Sequence, residues 1–280
     1  MLTGNRVIWE DNVTLRDISR NVNDVFSTAT VLPLVAAEDY LYIGSEMPFN
    51  HRYFQVQSAN DQVSSVSVSL WTGSSWVAAL DVIDDTASAT GATLSRAGII
   101  QWTKNKNTSW TRESESANVT GLSGTNVYDM FWARLTFSGD LKATTSLRYV
   151  GHRFANDSQL GGLYPDLVRT SVITAFQTGK TNWNEQHVLA AEEIIADLRS
   201  KQQIWSGSQV FDWQKLTTAA IHKVAEVIMR SFGDDFVQRR VEARTDYDDA
   251  LNKSLVGFDR NGDGNLDRSE QMISVGLVRR

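Results

Sequence analysis

The 280-residue chain has no cysteine, only three prolines and no long apolar run. Without cysteine there is no disulfide framework and no thiolate chemistry. Without a stretch of about 18 apolar residues, no membrane-spanning helix is expected. Basic residues are also in deficit, 27 Lys and Arg against 33 Asp and Glu, for a net charge of −6. That balance argues against a surface that holds nucleic acid non-specifically, while leaving room for a wall that repels it. The opening MLTGNRVIWEDNV lacks a basic segment followed by an apolar one, so no secretion signal is expected. The Asn-x-Ser/Thr triplets at Asn12, Asn107, Asn118, Asn156 and Asn252 then read as chance in a Ser/Thr/Asn-rich chain rather than as glycosylation sites.

Signatures of catalysis are missing too. No Ser-His-Asp, Walker, Gly-x-Gly-x-x-Gly or His-Glu-x-x-His pattern occurs. His187 and His222 fall in helical stretches with no second His or Cys at ligand spacing, and they read as structural histidines. Arg239, Arg240 and Arg244 are followed by Asp246, Asp248 and Asp249, which reads as a solvated, ion-paired helix face. No enzymatic activity is expected.

What is present divides by period. From about residue 28 the apolar residues alternate, as in Val66, Val68 and Leu70, in Trp76, Ala78, Leu80 and Val82, and in Phe131, Ala133, Leu135 and Phe137. The turn Thr72–Ser75 makes Val66–Val82 a hairpin candidate. Further strands are expected at Thr30–Val35, Tyr40–Ile43, Tyr53–Gln57, Gly98–Trp102 and Leu147–Phe154. Short strands with polar connections imply two packed antiparallel sheets, a sandwich of jelly-roll type. Residues 1–27 are left as an arm or short helix. Six tryptophans, Trp9, Trp71, Trp76, Trp102, Trp110 and Trp132, lie in this half. They suit a packed core, and alternatively a surface on which sugar rings stack.

Asp157–Pro165, with its glycine pair and proline, reads as a domain seam. Beyond it the period becomes about 3.6. Helices are expected over Asp166–Phe176, over Asn184–Gln203 and from an Asp212 cap to Phe232, then from Asp234 to Phe258. The last should turn Phe236, Val237, Val241, Tyr247, Leu251 and Leu255 inward. Short connections imply an antiparallel bundle. The fold class is therefore α+β in two domains: β-sandwich over 28–158 and helical bundle over 159–258, closed by a loop and C-terminal segment over 259–280.

That closing loop is the most specific signal. Asp259, Asn261, Asp263, Asn265, Asp267 and Glu270 occupy positions 1, 3, 5, 7, 9 and 12 of a twelve-residue segment, with Gly264 at position 6. Oxygen donors at alternate positions, a turn glycine and a final glutamate form the EF-hand calcium pattern. Phe258 and Leu266 supply apolar flanks, and an exit helix is expected over Arg268–Leu277. EF-hands usually act in pairs and this chain has one, so the expected ion is a structural clip rather than a signal.

The run Leu189–Phe236, LAAEEIIADLRSKQQIWSGSQVFDWQKLTTAAIHKVAEVIMRSFGDDF, resembles the helical head-to-tail adaptor (connector) proteins of tailed bacteriophages. The segments DYLYIGSEMPFNHRYF and SLWTGSSWV are similar to β-sandwich domains of phage tail and neck proteins. The resemblance implies a ring, commonly of twelve copies, that joins portal to tail. Its implied partners are the portal protein, tail or neck proteins and further copies of the chain, with DNA passing through unbound. It implies a place at the neck of the virion, assembled in the host cytoplasm. The alternative is a carbohydrate-binding or cell-surface adhesion module with a calcium-stabilised C-terminus.

Overall fold

The computed structural model describes residues 5–113, 119–123, 125 and 129–276. It is a mixed α/β protein with antiparallel sheets and, among the described residues, six α-helices. The chain divides into two compact units, Met1–Gly151 with Asn261–Asn265, and His152–Arg260 with Leu266–Arg280.

Among the described residues the first unit holds eleven strands: β1 (Arg6–Asp11), β2 (Thr14–Asp17), β3 (Thr30–Val31), β4 (Tyr40–Ser45), β5 (His51–Ser58), β6 (Val66–Trp71), β7 (Trp76–Ala78), β8 (Leu80–Asp84), β9 (Gly98–Thr103), β10 (Phe131–Phe137) and β11 (Ser146–Gly151). One sheet runs β2-β1-β4-β10-β6-β7 and the other β3-β11-β5-β9-β8. Leu41, Ile43, Val68, Leu70, Ala133 and Leu135 of the first sheet share one buried core with Phe54, Ile100, Trp102, Leu147 and Val150 of the second. The alternation that marked these strands thus records a real inward face.

Three features depart from the pattern. Residues 5–27 are not an arm: β1 pairs with β4 through Trp9↔Leu41, and the short helix α1 (Ser19–Val22) follows β2. The tract Trp76–Val82 is two strands, because β7 completes the hairpin with β6 while β8 pairs with β9 in the other sheet. A positive φ of 49° at Asp81, beside a register shift between Leu80 and Ile83, breaks the phase there. The outward face of the six-stranded sheet is also buried, since Ile8, Tyr42, Trp71 and Trp132 form a second cluster with Val119 and Leu122. That cover comes from residues far away in the chain, so strand periodicity does not reveal it.

In the second unit the expected seam is a helix. α2 (Asp157–Leu163) starts from a complete capping box, in which the Asn156 side chain accepts from Gln159 N–H and Gln159 returns the bond to Asn156 N–H. α3 (Thr170–Phe176) is shorter than expected, and α4 (Asn184–Ser200) matches closely. A 3-10 turn over Trp213–Leu216 leads into α5 (Thr217–Met229), the most buried helix of the unit. Asp212 occupies the cap position of that turn without a side-chain capping bond. A further 3-10 segment, kinked at Gly233 with φ 65°, precedes α6 (Val237–Lys253).

Helix α6 turns Ala243, Tyr247 and Leu251 inward, at i, i+4 and i+8. Val237, Val241 and Leu255, expected to face the core, are instead exposed. The kink at Gly233 sets the rotation of the helix that follows, and periodicity cannot supply that angle.

Candidate metal centre

The calcium-pattern loop is preceded by β12 (Leu255–Val256) and followed by β13 (Ile273–Ser274), which pair antiparallel through Leu255↔Ser274 and Val256↔Ile273. No helices flank it among the described residues. Ser254, with φ −67° and ψ 136°, ends α6 after Lys253, and the expected exit helix is replaced by turns and β13. Leu277 lies outside the described residues.

Residues Asn261–Asn265 belong to the first unit. Asp263 N–H donates to Asn261 Oδ1 at 2.9 Å and Asn265 N–H to Asp263 Oδ1 at 2.8 Å. These are turns closed by side-chain oxygens at alternate positions of the loop. Gly262 and Gly264 take φ of 74° and 80°, where only glycine is unstrained. Gly264 is also buried, and a Cβ there would meet Lys104 Cδ at 3.0 Å and Trp110 Cε3 at 3.3 Å. Lys104 Nζ donates to the Asp263 carbonyl at 2.8 Å.

The remaining loop residues belong to the second unit. Asp259 and Glu270, at positions 1 and 12, are both buried. Glu270 Oε1 accepts Arg260 N–H at 2.7 Å and Oε2 accepts Asp267 N–H at 3.1 Å. Asp259 is held at its backbone, with its N–H on Gln209 O at 3.0 Å and its carbonyl taking Gln209 Nε2 at 2.8 Å. Leu266, at position 8, packs on Gly257, whose added Cβ would fall 2.7 Å from Leu266 Cδ1.

The donor types therefore fit a hard cation: carboxylates, Asn oxygens and backbone carbonyls, with no sulfur or imidazole. Among the described residues no three His, Cys, Asp or Glu side chains form a metal-holding group. The calcium expectation thus rests on donor spacing and on the turn geometry of the loop.

The other titratable residues have structural settings. His187 Nε2 lies 3.0 Å from Asp157 Oδ1, and burial lowers its pKa against the opposing pull of that carboxylate. His222 Nδ1 lies 2.8 Å from Tyr164 Oη; burial lowers the histidine pKa and raises that of the phenol to about 12. Arg244 pairs with Asp248 at 3.2 Å and Arg239 approaches Asp166 at 3.9 Å, in keeping with an ion-paired face. In the first unit, Arg52 is fully buried, with Nε on Asn5 Oδ1 at 2.7 Å and its guanidinium 3.8 Å from the Phe49 ring. Burial lowers its pKa to about 9.

The tryptophans of the β-unit are core. Trp9, Trp71, Trp102, Trp110 and Trp132 are buried, and Trp76, half-buried, donates its indole N–H to Thr120 O at 2.9 Å. The exposed indole is Trp205, in the turn after α4, with 83% of its surface accessible. Nothing in the local sequence WSGSQ separates a wet tryptophan from a buried one. Gln202, Gln203, Gln209 and Arg260 join it around a pocket of about 220 Å³.

The chain matches no protein-family model, no curated protein and no solved structure at a significant level. No helix among the described residues is long and apolar enough to cross a membrane.

Proposed function

We propose that the chain is a non-enzymatic structural protein of a tailed-phage virion, a head-to-tail adaptor whose copies form a ring between portal and tail. The observation that carries this reading is on α6. Val237 and Val241, one helical turn apart, leave 39% and 53% of their surface in water. An apolar pair on the outer face of a charged helix gains from a neighbouring copy, and a ring supplies one on every subunit. The resemblance of Leu189–Phe236 to helical adaptors adds to it, and the net charge of −6 suits a channel through which DNA slides. The helical unit is then the ring-forming part, and the jelly-roll-like β-unit is left to meet tail or neck proteins. Calcium held by Asp259, Asn261, Asp263, Asn265, Asp267 and Glu270 is a fastening of the C-terminal segment.

Sedimentation and negative-stain imaging test the adaptor reading. Rings, alone or on adding portal protein, are expected, and Val241→Glu should give a folded chain that no longer assembles. A chain that stays monomeric at all concentrations, with and without portal, overturns it. The glycan-binding alternative finds no support in the tryptophans of the β-unit, because five of them are buried.

A further inference from the structure

We infer that the pocket beside Trp205 is a saccharide subsite, taking one pyranose ring of a polysaccharide. This goes beyond the adaptor reading and does not depend on it.

The pocket lies wholly within the second unit and is built on rigid supports. Helix α4 ends with Gln202 N–H on Arg199 O at 2.9 Å and Gln203 N–H on Leu198 O at 3.0 Å. Gln202 takes φ 56°, a conformation that a residue with a Cβ adopts only at some cost. That turn throws Trp205 outward. Its backbone is then pinned from below, because the amide oxygen of Gln209 accepts both Trp205 N–H at 2.7 Å and Ser206 N–H at 3.0 Å. Gln209 is buried and its Nε2 is used on the Asp259 carbonyl, so it forms the floor of the pocket. Arg260 donates to Gln203 Oε1, which sets the guanidinium beside the pocket.

The lining decides the class of ligand. An indole face exposed to water binds the C–H face of a sugar ring, and loses apolar surface to solvent in doing so. The amide of Gln202 can both donate and accept, which matches hydroxyl groups that do the same. The Arg260 guanidinium places positive charge beside the pocket, which favours a uronate carboxylate. The lining residues include no carboxylate and only one cation, which disfavours cationic ligands and polyphosphates alike. At about 220 Å³ the pocket is smaller than the roughly 300–1,000 Å³ typical of drug-sized ligands, so it admits one ring rather than a large cofactor.

The test uses the full-length protein with two probes, maltohexaose as a neutral chain and tetragalacturonate as an acidic one. Saturation-transfer NMR and calorimetry should show binding of at least one at millimolar or lower concentration. Trp205→Ala should weaken it at least tenfold, with an unchanged circular dichroism spectrum because the side chain is exposed. Trp205→Phe should retain part of the affinity, and Gln202→Ala should lose about threefold. Binding of tetragalacturonate alone would assign the guanidinium to a carboxylate and supports the inference in its acidic form. The inference is overturned if neither probe binds, or if Trp205→Ala binds as the wild type does. It is equally overturned if Trp205→Ala abolishes self-association in sedimentation while sugar titrations stay flat, since Trp205 is then a protein contact.

Discussion

Lys223 Nζ on α5 lies 2.7 Å from Glu193 Oε2 on α4, and the lysine is 1% exposed. It also reaches Glu226 Oε2 at 3.1 Å and lies 4.6 Å from the centre of the Tyr247 ring on α6. Arg230 closes the group, with contacts of 2.5 Å to Glu193 and 2.7 Å to Glu226. The three long helices are thus joined by a charged network as well as by their apolar stripes.

Removing one member of a buried ion pair strands its partner in low dielectric, at about 3–5 kcal/mol. Lys223→Ala should fall near the lower end, about 3 kcal/mol, because Arg230 still neutralises both carboxylates. Urea unfolding measures it. A loss below about 1 kcal/mol would mean that the network adds nothing to stability.

The same network sets an acid limit. Burial opposes ionisation of Glu193, but the hydrogen bonds and charges of Arg230 and Lys223 outweigh it and pull the pKa down to about 2. A glutamate in the unfolded chain titrates near about 4.3. The folded state therefore binds fewer protons across that interval, and the stabilisation is complete above pH ~4.3 and lost as pH falls toward 2. Glu193→Gln should flatten the stability–pH curve across that window and leave its shape near neutrality unchanged. A curve that stays parallel to the wild type would refute this assignment.

Calcium at 100 times its Kd should raise stability by about 2.7 kcal/mol if it binds only the folded chain. Thermal unfolding with calcium and with a chelator reads this out directly. Glu270→Gln should erase the difference. If chelator leaves the wild-type transition where it was, the loop is an acidic turn and no more.

A packing constraint offers an independent check on the β-unit. Gly98, paired with Phe54 in β5, would place an added Cβ 2.6 Å from the backbone carbon and oxygen of Asp85. Backbone cannot swing aside as a side chain can, so Gly98→Ala should cost about 1–3 kcal/mol in chemical denaturation. A neutral substitution would show that the Asp85 backbone does not sit against Gly98.

Much of this was legible in advance where the signal is local. The strands β4, β6 and β10 and the helices α4 and α5 follow from their apolar periods, because each period reports the face of its own element. The donor spacing of Asp259–Glu270 is likewise a property of twelve consecutive residues. Less was legible where distant segments meet. At α2 the glycine pair and the nearby Pro165 look like punctuation, whereas the Asn156–Gln159 capping box starts a helix there.

The sequence by itself determined the absence of cysteine chemistry, the change of period from strands to helices, and the identity and order of the oxygen donors in the loop. Tertiary structure decided which faces are covered: Trp132 and Trp71 buried on the outer side of a sheet, Val237 and Val241 left about half-exposed on α6, Trp205 turned into water. It also set the donor loop between two paired strands instead of two helices. The reason is physical. Period and spacing are fixed by neighbours along the chain, while burial is fixed by neighbours in space.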